Sequence, residues 1–247
     1  MTTYTSACWC ASLLILLTLA PPIHAYREIA VEDGGSISGQ VLFDGQTSPP
    51  VTLPVHKNRA VCGESVPDES LLVDARGGLK NVVVVLDGIH AGKGNPVLPA
   101  LLDNKNCAFV PRVQTIAVGQ PLALRNSDFI LHNVHARQNG HKTIFNLGLP
   151  YWSEKTYRFT QPGRVLIDCD VLHTWMRAHI IVTDHPYTAV TDAVGRFDIS
   201  HIPAGEYDLR LWHERLGEQT RPVSVRIAQE TRVRLTYTAR TQKDKGH

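Results

Sequence analysis

The amino-acid sequence predicts an all-β protein, a β-sandwich or barrel. Short runs alternate apolar and polar residues, turn residues separate these runs, and no stretch of a dozen residues shows a 3.6-residue apolar period. The chain has 247 residues, 43% of them hydrophobic, which is enough for a packed core and too much for a disordered chain. A net charge of +2 argues against a nucleic-acid binder with a basic surface.

Residues 1–25 have the pattern of a secretory signal peptide. They contain no Asp, Glu, Lys or Arg, and an apolar run from Ala11 to Ala20 is followed by Pro21-Pro22 and then Ala25. This favours cleavage after Ala25, although the usual basic n-region is missing. An uncleaved anchor is the alternative, but roughly ten apolar residues are about half of what a spanning helix needs. We therefore expect a periplasmic or secreted protein, with no transmembrane segment after cleavage.

Export determines the expected state of the cysteines. Cys8 and Cys10 would leave with the signal peptide, and three cysteines would remain in the mature chain. In an oxidising compartment, three cysteines suggest one disulfide and one thiol kept for another purpose. Because only Cys169 has potential metal ligands beside it, we predict a disulfide between Cys62 and Cys107. Two free buried thiols at these positions are the alternative.

The mature chain begins with six segments of strand patterning: 37–43, 81–86, 113–118, 122–125, 164–168 and 179–183. The segment 81–86 is continuously apolar after its first residue, so we expect it to be buried on both faces. Five shorter strands follow, at 188–191, 196–199, 206–212, 222–227 and 231–237, separated by Gly- and Pro-containing turns.

Pro186 marks the predicted boundary between two units, because proline cannot donate a hydrogen bond to a sheet. We predict a first domain over 26–185, with an N-terminal extension, and a second over 186–240, followed by a polar tail at 241–247. The second unit is small, so we expect it to pack against the first. A contact between the two units is the preferred role of Trp212-His213-Glu214.

Two segments combine side chains that bind transition metals. The first, 125–135, contains His132, and the second, 167–177, contains Cys169, His173 and Met176. A thiolate, two imidazoles and a thioether suit copper in both of its oxidation states, and the thioether favours copper over zinc. His135 lies at odd spacing from His132 along a strand, so we expect it to face away and to be structural.

The two segments resemble those of the cupredoxins, the blue-copper β-sandwich family that includes amicyanin and plastocyanin. The resemblance rests on the sequence His-Asn-Val-His at 132–135 and on the Cys–His–Met loop, which is followed by Arg177 and an apolar strand. It implies a Greek-key sandwich with one mononuclear copper held by His132, Cys169, His173 and, at a longer axial distance, Met176. Asn133 would brace the loop that bears Cys169.

The loop differs from that of amicyanin by one residue. Three residues separate Cys169 from His173, where amicyanin has two. This spacing resembles the binuclear copper loop of cytochrome oxidase subunit II, but that site needs a second Cys four positions earlier, where this chain has Val165. A mononuclear site is therefore expected, with its geometry and potential left open.

The second unit resembles the carboxypeptidase regulatory-like domain, a transthyretin-type or prealbumin-like β-sandwich. The resemblance rests on residues 193–199 and 202–207, in which Gly195 and Gly205 occupy turns and Phe197 and Tyr207 serve the core. It implies a fold, and nothing in it resembles a peptidase active site.

These observations favour an exported copper protein that carries electrons to or from an unidentified redox partner. Such a protein would dock through an apolar patch around an exposed edge of His173. Trp175 and Phe129 would shield the metal or serve ordinary packing, and Asp128 would cap the turn before His132. Copper storage or delivery is the first alternative, and a carbohydrate-binding or adhesion module is the second. No nucleophile–base pair or open catalytic metal site is evident, so we do not expect an enzyme.

Overall fold

The computed structural model describes residues 26–46, 49 and 51–238. The predicted signal peptide, with Cys8 and Cys10, and the predicted tail at 241–247 lie outside these residues. Within the described part, the chain forms twenty strands and one four-residue helix, α1 (Arg59–Cys62). No helix in this part is long and apolar enough to cross a membrane.

The strands, in chain order, are β1 (Arg27–Glu28), β2 (Gly35–Asp44), β3 (Thr52–Pro54), β4 (Ser65–Pro67), β5 (Val83–Asp87), β6 (Ala91–Gly92), β7 (Ala100–Lys105), β8 (Ala108–Val110), β9 (Val113–Ala117), β10 (Pro121–Asn126), β11 (His132–Gln138), β12 (Lys142–Leu149), β13 (Glu154–Arg158), β14 (Gly163–Asp168), β15 (Arg177–Thr183), β16 (Thr188–Val190), β17 (Arg196–Ile202), β18 (Gly205–His213), β19 (Gly217–Val225) and β20 (Glu230–Thr238).

Two of the sheets form a first sandwich. One has the order β13-β10-β7-β8 and the other the order β12-β11-β14-β15-β9. Alternation places one face of each strand inside: Leu122 and Leu124 of β10 are fully buried, and Val134 and Ala136 of β11 face them within one core. The all-β sandwich predicted from the sequence is confirmed.

A second sandwich is formed by the sheets β16-β5-β18-β19 and β17-β2-β20. Its core joins Ile37 and Val41 of β2 to Leu86 of β5 and to Leu209 and Leu211 of β18. The structure thus differs from the predicted division at 185/186 in two strands, because β2 and β5 precede the first sandwich in sequence but belong to the second. Alternation identifies a strand and its buried face, whereas it does not specify the sheet that the strand joins.

Strand β5 lies between the two cores. Val84 and Leu86 point into the second sandwich, and Val83 and Val85 point into a smaller cluster with Val113, Ile181 and Trp212. Burial on both faces, predicted from its continuous apolar sequence, is confirmed. The smaller cluster forms the seam between the sandwiches.

The seam also carries a buried ion pair. Arg112, just before β9, donates two hydrogen bonds to the Glu214 carboxylate, at 2.6 and 2.8 Å. The Arg164 guanidinium lies over the Trp212 ring, 5.5 Å from its centroid. Of Trp212-His213-Glu214, the first and third residues therefore make the expected contact with the first unit, whereas the His213 ring lies near Tyr237 of β20.

A short hairpin covers one end of the first sandwich. Strands β3 and β4 pair antiparallel, and α1 lies in the connection between them. Val55 is fully buried in the first core, and a disulfide joins Cys62 to Cys107 in the turn between β7 and β8. The predicted disulfide is confirmed, and Cys169 is a free buried cysteine. We call residues 52–67 the cap hairpin.

Candidate metal centre

The three nitrogen and sulfur ligands predicted from the sequence lie at one end of the first sandwich. His132 is the first residue of β11, and Cys169 directly follows β14. Because β11 and β14 are neighbouring antiparallel strands, with His135 opposite Asp168, the start of one lies beside the end of the other. His173 lies in the connection from β14 to β15, so two adjacent strands and one short loop bring all three side chains together.

The donor atoms of these side chains form a compact triangle. His132 Nδ1 lies 3.1 Å from His173 Nδ1, and Cys169 Sγ lies 3.7 Å from His173 Nδ1 and 4.0 Å from His132 Nδ1. Metal–nitrogen bonds of about 2.0 Å and metal–sulfur bonds of about 2.3 Å separate ligands by about 3.3 to 3.8 Å in trigonal or tetrahedral sites. The triangle therefore fits one transition-metal ion.

The outer nitrogen of each imidazole is held by an oxygen that can only accept a hydrogen bond. His132 Nε2 lies 2.9 Å from the Asp128 carboxylate, and His173 Nε2 lies 2.8 Å from the side-chain carbonyl oxygen of Asn58. Both Nε2 atoms must therefore carry the proton that they donate. In the neutral rings both Nδ1 atoms then present a lone pair to the centre of the triangle.

Burial keeps both rings in this neutral form. It lowers the pKa of His132, against the raising effect of Asp128. The pKa of His173 falls to about 4, chiefly through burial and then through the charges of His132 and Lys57. Near neutral pH, two lone pairs thus face each other at 3.1 Å with no proton between them. A bound cation would remove this repulsion.

The third donor is a protonated thiol in the metal-free protein, because burial raises the pKa of Cys169. The backbone N–H of Asn133 donates to its sulfur at 3.4 Å. A metal ion would displace the thiol proton and bind the thiolate, so its uptake would release a proton.

Met176 belongs to the same loop and is buried, with 2% of its surface exposed. Its backbone N–H donates to the carbonyl oxygen of His173 at 2.9 Å, which closes a tight turn between the two residues. Met176 and Cys169 line one small cavity together with Arg137 and Arg177. Met176 thus remains a proposed fourth ligand.

A second group of potential donors, Cys107, Asp128 and His132, lies next to the triangle. Cys107 is bonded to Cys62, so its sulfur is not available as a thiolate ligand. Asp128 already binds His132 and two backbone N–H groups, those of Asn106 and Cys107. This group therefore supports the candidate metal centre and does not form a second candidate site.

Asn133 connects the two ligand-bearing segments. Besides the contact to the Cys169 sulfur, its side-chain oxygen accepts the backbone N–H of Asp170 at 2.9 Å. His135, two positions further along β11, hydrogen-bonds Asp170 at 2.6 Å and Thr143 at 2.8 Å and lies outside the triangle. Asn133 and His135 of β11 thus both hydrogen-bond Asp170, the residue after Cys169 in the loop that follows β14.

Two residues that hold the ligands were not predicted as such. Asn58 was not singled out, since it lies 115 positions before His173 and carries no motif. Asp128 was expected only to cap a turn, although its position four residues before His132 was a usable signal. Of the two expected shielding residues, Trp175 is buried with its ring 5.1 Å from that of His173, whereas Phe129 is 73% exposed and its ring contacts that of Trp152.

No known protein-family model and no curated protein sequence matches this chain. Among solved structures, it is similar to a copper-containing nitrite reductase from Thermus scotoductus SA-01, at 23% identity over 38% of this chain and 24% of that one (TM-score 0.33). It is also similar to a purple cupredoxin from Nitrosopumilus maritimus, at 22% identity over 34% and 98% of the two chains (TM-score 0.30). Amicyanin from Paracoccus versutus matches at 20% identity over 36% and 84% (TM-score 0.31).

These likenesses cover little more than a third of the chain. The chain spans about a quarter of the length of the nitrite reductase. The predicted resemblance of the second unit to carboxypeptidase regulatory-like domains stays a prediction.

Proposed function

We propose that this protein binds one copper ion through His132, Cys169, His173 and Met176 and serves as an exported electron carrier. The main support is the triangle of two unprotonated Nδ1 atoms and the Cys169 sulfur. The Nε2 atoms of both histidines are already hydrogen-bonded to Asp128 and Asn58. A site preorganised in this way needs little rearrangement to receive a metal.

The donor chemistry favours copper over zinc. A structural zinc site takes four Cys, His or carboxylate ligands, whereas two His, one Cys and a weak Met are the set found at blue-copper sites. When bound, copper supplies one-electron chemistry by alternating between Cu(I) and Cu(II).

Burial of the centre supports electron transfer rather than catalysis on a bound substrate. His132 and His173 have no exposed surface, and Cys169 is only 5% exposed. A substrate would need an open position at the metal, whereas an electron needs only a short path to the surface. The Cys62–Cys107 disulfide supports export, because disulfides persist mainly in oxidising compartments.

His173 has no exposed edge of the kind expected, because its ring is fully buried, with Asn58 of the cap hairpin at its outer nitrogen and the Trp175 ring against it. Exposed apolar side chains lie instead on the loops around the start of β11 and the end of β12. They are Phe129, Leu131, Tyr151 and Trp152, and the Phe129 and Trp152 rings are in edge-to-face contact at 5.3 Å. Because His132 pairs with Leu149, these loops lie at the same end of the first sandwich as the triangle. We call this the metal end. We place the contact with the redox partner there.

A copper titration followed by visible absorption tests the proposal. We expect one equivalent of Cu(II) to give an intense absorption band, because a copper–thiolate bond is strongly coloured. Cys169→Ser removes the thiolate and should abolish the band, and His132→Ala should weaken copper binding severely. His135→Ala is the matched control in the same strand and should keep the band. A colourless wild-type complex, or full colour in Cys169→Ser, would refute the ligand set.

Substitution of the proposed axial ligand separates its role from that of the other three. Met176→Leu should keep copper and colour but raise the reduction potential, because the axial ligand and the local hydrophobicity tune that potential. Protein-film voltammetry of the two proteins measures the change. An unchanged potential would remove Met176 from the ligand set. Rapid release of copper to a chelator, without reversible reduction, would instead favour the storage or delivery function.

A further inference from the structure

Among the described residues, Asn58 of the cap hairpin is the only hydrogen-bond partner of the outer nitrogen, Nε2, of His173. Asn58 is itself an exposed residue, yet its side-chain oxygen lies 2.8 Å from Nε2 of the fully buried His173. Asn58 therefore lies between the His173 ring and the solvent. Without it, the buried Nε2–H would have to find water or a different ring orientation.

The backbone of Asn58 suits this position. Its φ of 59° places it in the left-handed region, which asparagine tolerates better than most residues. Its carbonyl oxygen accepts the N–H groups of Val61 and Cys62, both at 2.9 Å, so that the residue begins the short helix α1. The side chain is thus free of helix capping and available to His173.

The disulfide links the Asn58–His173 contact to Asp128, which hydrogen-bonds the other imidazole, that of His132. Cys62 ends α1, and its partner Cys107 donates its backbone N–H to the Asp128 carboxylate at 2.8 Å. The same carboxylate oxygen accepts from His132 Nε2. The disulfide therefore connects the two residues: Asn58 begins the helix that Cys62 ends, and Asp128 accepts the backbone N–H of Cys107.

The same bridge supports a third contact. The indole N–H of Trp175 donates to the carbonyl oxygen of Cys107 at 3.0 Å, and the Trp175 ring packs on that of His173. His173 is thus enclosed by Asn58 on its outer nitrogen and by Trp175 on its ring, and both neighbours are attached to the disulfide.

We propose that Asn58 is a positioning residue that fixes His173 with its Nδ1 atom toward Cys169, and that the Cys62–Cys107 disulfide holds Asn58 in place. The proposal rests on the proposed copper function for its purpose, whereas the orientation of the ring is a property of the metal-free protein. It makes the cap hairpin an integral part of the metal centre, in addition to its role as a cover.

Two substitutions of Asn58 test the positioning role. Asn58→Gly removes the side chain and keeps the left-handed backbone, and Asn58→Asp keeps an accepting oxygen at the same place. Asn139→Gly is the matched control, because Asn139 is an exposed turn residue with a φ of 52° that makes no contact to the ligands. Thermal unfolding of each variant verifies that it folds.

The first readout uses the metal-free protein. Side-chain nitrogen chemical shifts of His173 at pH 7 should show the proton on Nε2 in the wild type, in Asn139→Gly and in Asn58→Asp. In Asn58→Gly we expect a mixture of the two tautomers. A single Nε2–H tautomer in Asn58→Gly would overturn the proposal.

The second readout is the affinity for Cu(I), measured by competition with a chromophoric chelator. Loss of a partner to a ligating histidine typically weakens metal binding by about 10- to 100-fold, and we expect this loss in Asn58→Gly but not in Asn139→Gly. Cys62→Ser/Cys107→Ser should show a similar loss, since the hairpin is then untied. Affinity equal to that of the control in both variants would refute the positioning role.

The two readouts also separate this proposal from the copper function. If the wild type binds no copper but Asn58→Gly changes the His173 tautomer, the copper function fails and the positioning of the ring stands. If the wild type binds copper and Asn58→Gly matches Asn139→Gly in both measurements, the copper function stands and the positioning role fails.

Discussion

Both sandwiches have an apolar core, but one end of the first is held together differently from the rest. At the metal end of the first, the buried polar residues Asp128, His132, Asn133 and His173 are each fixed by side-chain hydrogen bonds, and a disulfide ties down the cover. In the second, aliphatic and aromatic side chains fill the core, and long backbone ladders such as β2–β20 join segments distant in sequence.

This difference predicts which kinds of amino-acid substitution each region tolerates. The second core depends on apolar burial, which is not directional and tolerates exchange of one aliphatic residue for another of similar volume. The metal end depends on hydrogen bonds with fixed partners, so the loss of one partner leaves a buried polar group unsatisfied. We therefore expect a substitution in the second core to change the free energy of unfolding without changing metal affinity. A substitution at the metal end should change both.

The largest expected effect on stability is that of the disulfide. Cys62→Ser/Cys107→Ser opens a bridge across 45 residues, which by the chain-entropy model lowers the free energy of unfolding by about 4 kcal/mol. Denaturant unfolding of the metal-free protein measures this loss. Hydrogen exchange should rise in the cap hairpin and the β7–β8 turn more than in the second sandwich. A loss below about 1 kcal/mol would mean that the hairpin is held by packing alone.

A matched pair of core leucines compares the sandwiches directly. Leu86 and Leu149 are both fully buried strand residues, but Leu149 pairs with His132 whereas Leu86 lies in the second core. Each change to alanine should lower the free energy of unfolding by about 3 kcal/mol through lost burial and a cavity. Copper affinity should fall in Leu149→Ala and stay unchanged in Leu86→Ala. An equal fall in both would show that the second sandwich contributes to the metal centre.

The remaining expected effect concerns the ion pair at the seam and depends on pH. Burial alone would raise the pKa of Glu214, but the hydrogen bonds from Arg112 and the charges of Arg112 and His179 lower it from 4.5 to about 2. The folded protein thus binds fewer protons than the unfolded chain, so this stabilisation is complete above about pH 4.5 and is lost as the pH falls toward 2.

Glu214→Gln tests this pH dependence. The substitution should reduce the free energy of unfolding by about 3 kcal/mol at pH 7 and flatten its decline between pH 4.5 and 2. Urea denaturation across this pH range measures both effects, with Glu64→Gln, an exposed carboxylate in the cap hairpin, as the control. The same acid slope in wild type and Glu214→Gln would assign the acid sensitivity to other groups.

Local patterns were sufficient for much of the fold. The alternating segments at 122–125 and 206–212 and the continuous apolar run at 81–86 are strands with the expected burial. Strands such as β7 and β12 were not predicted. β12 lies at an edge of its sheet with both faces partly exposed, so its sequence shows little alternation.

The candidate ligands were identified by residue type and spacing, because a histidine, a cysteine and a methionine in one short loop form an unusual set. Their surroundings were not identified in this way. His173 was expected to have an exposed edge, and the structure buries it beneath residues 52–67. Nothing in the local sequence of Asn58 indicates that its side chain meets a ligand 115 positions away.

The sequence by itself was enough to predict the all-β class, the position of most strands, the disulfide pairing and the candidate metal ligands. Each of these follows from the period of side chains along a strand or from the chemistry of a few neighbouring residues. The tertiary structure decided which sheet β2 and β5 join, which hairpin lies over the candidate metal centre and which oxygens accept hydrogen bonds from its imidazoles. These depend on contacts between residues far apart in the chain, which arise only when burial selects one packing among many that the same local patterns allow.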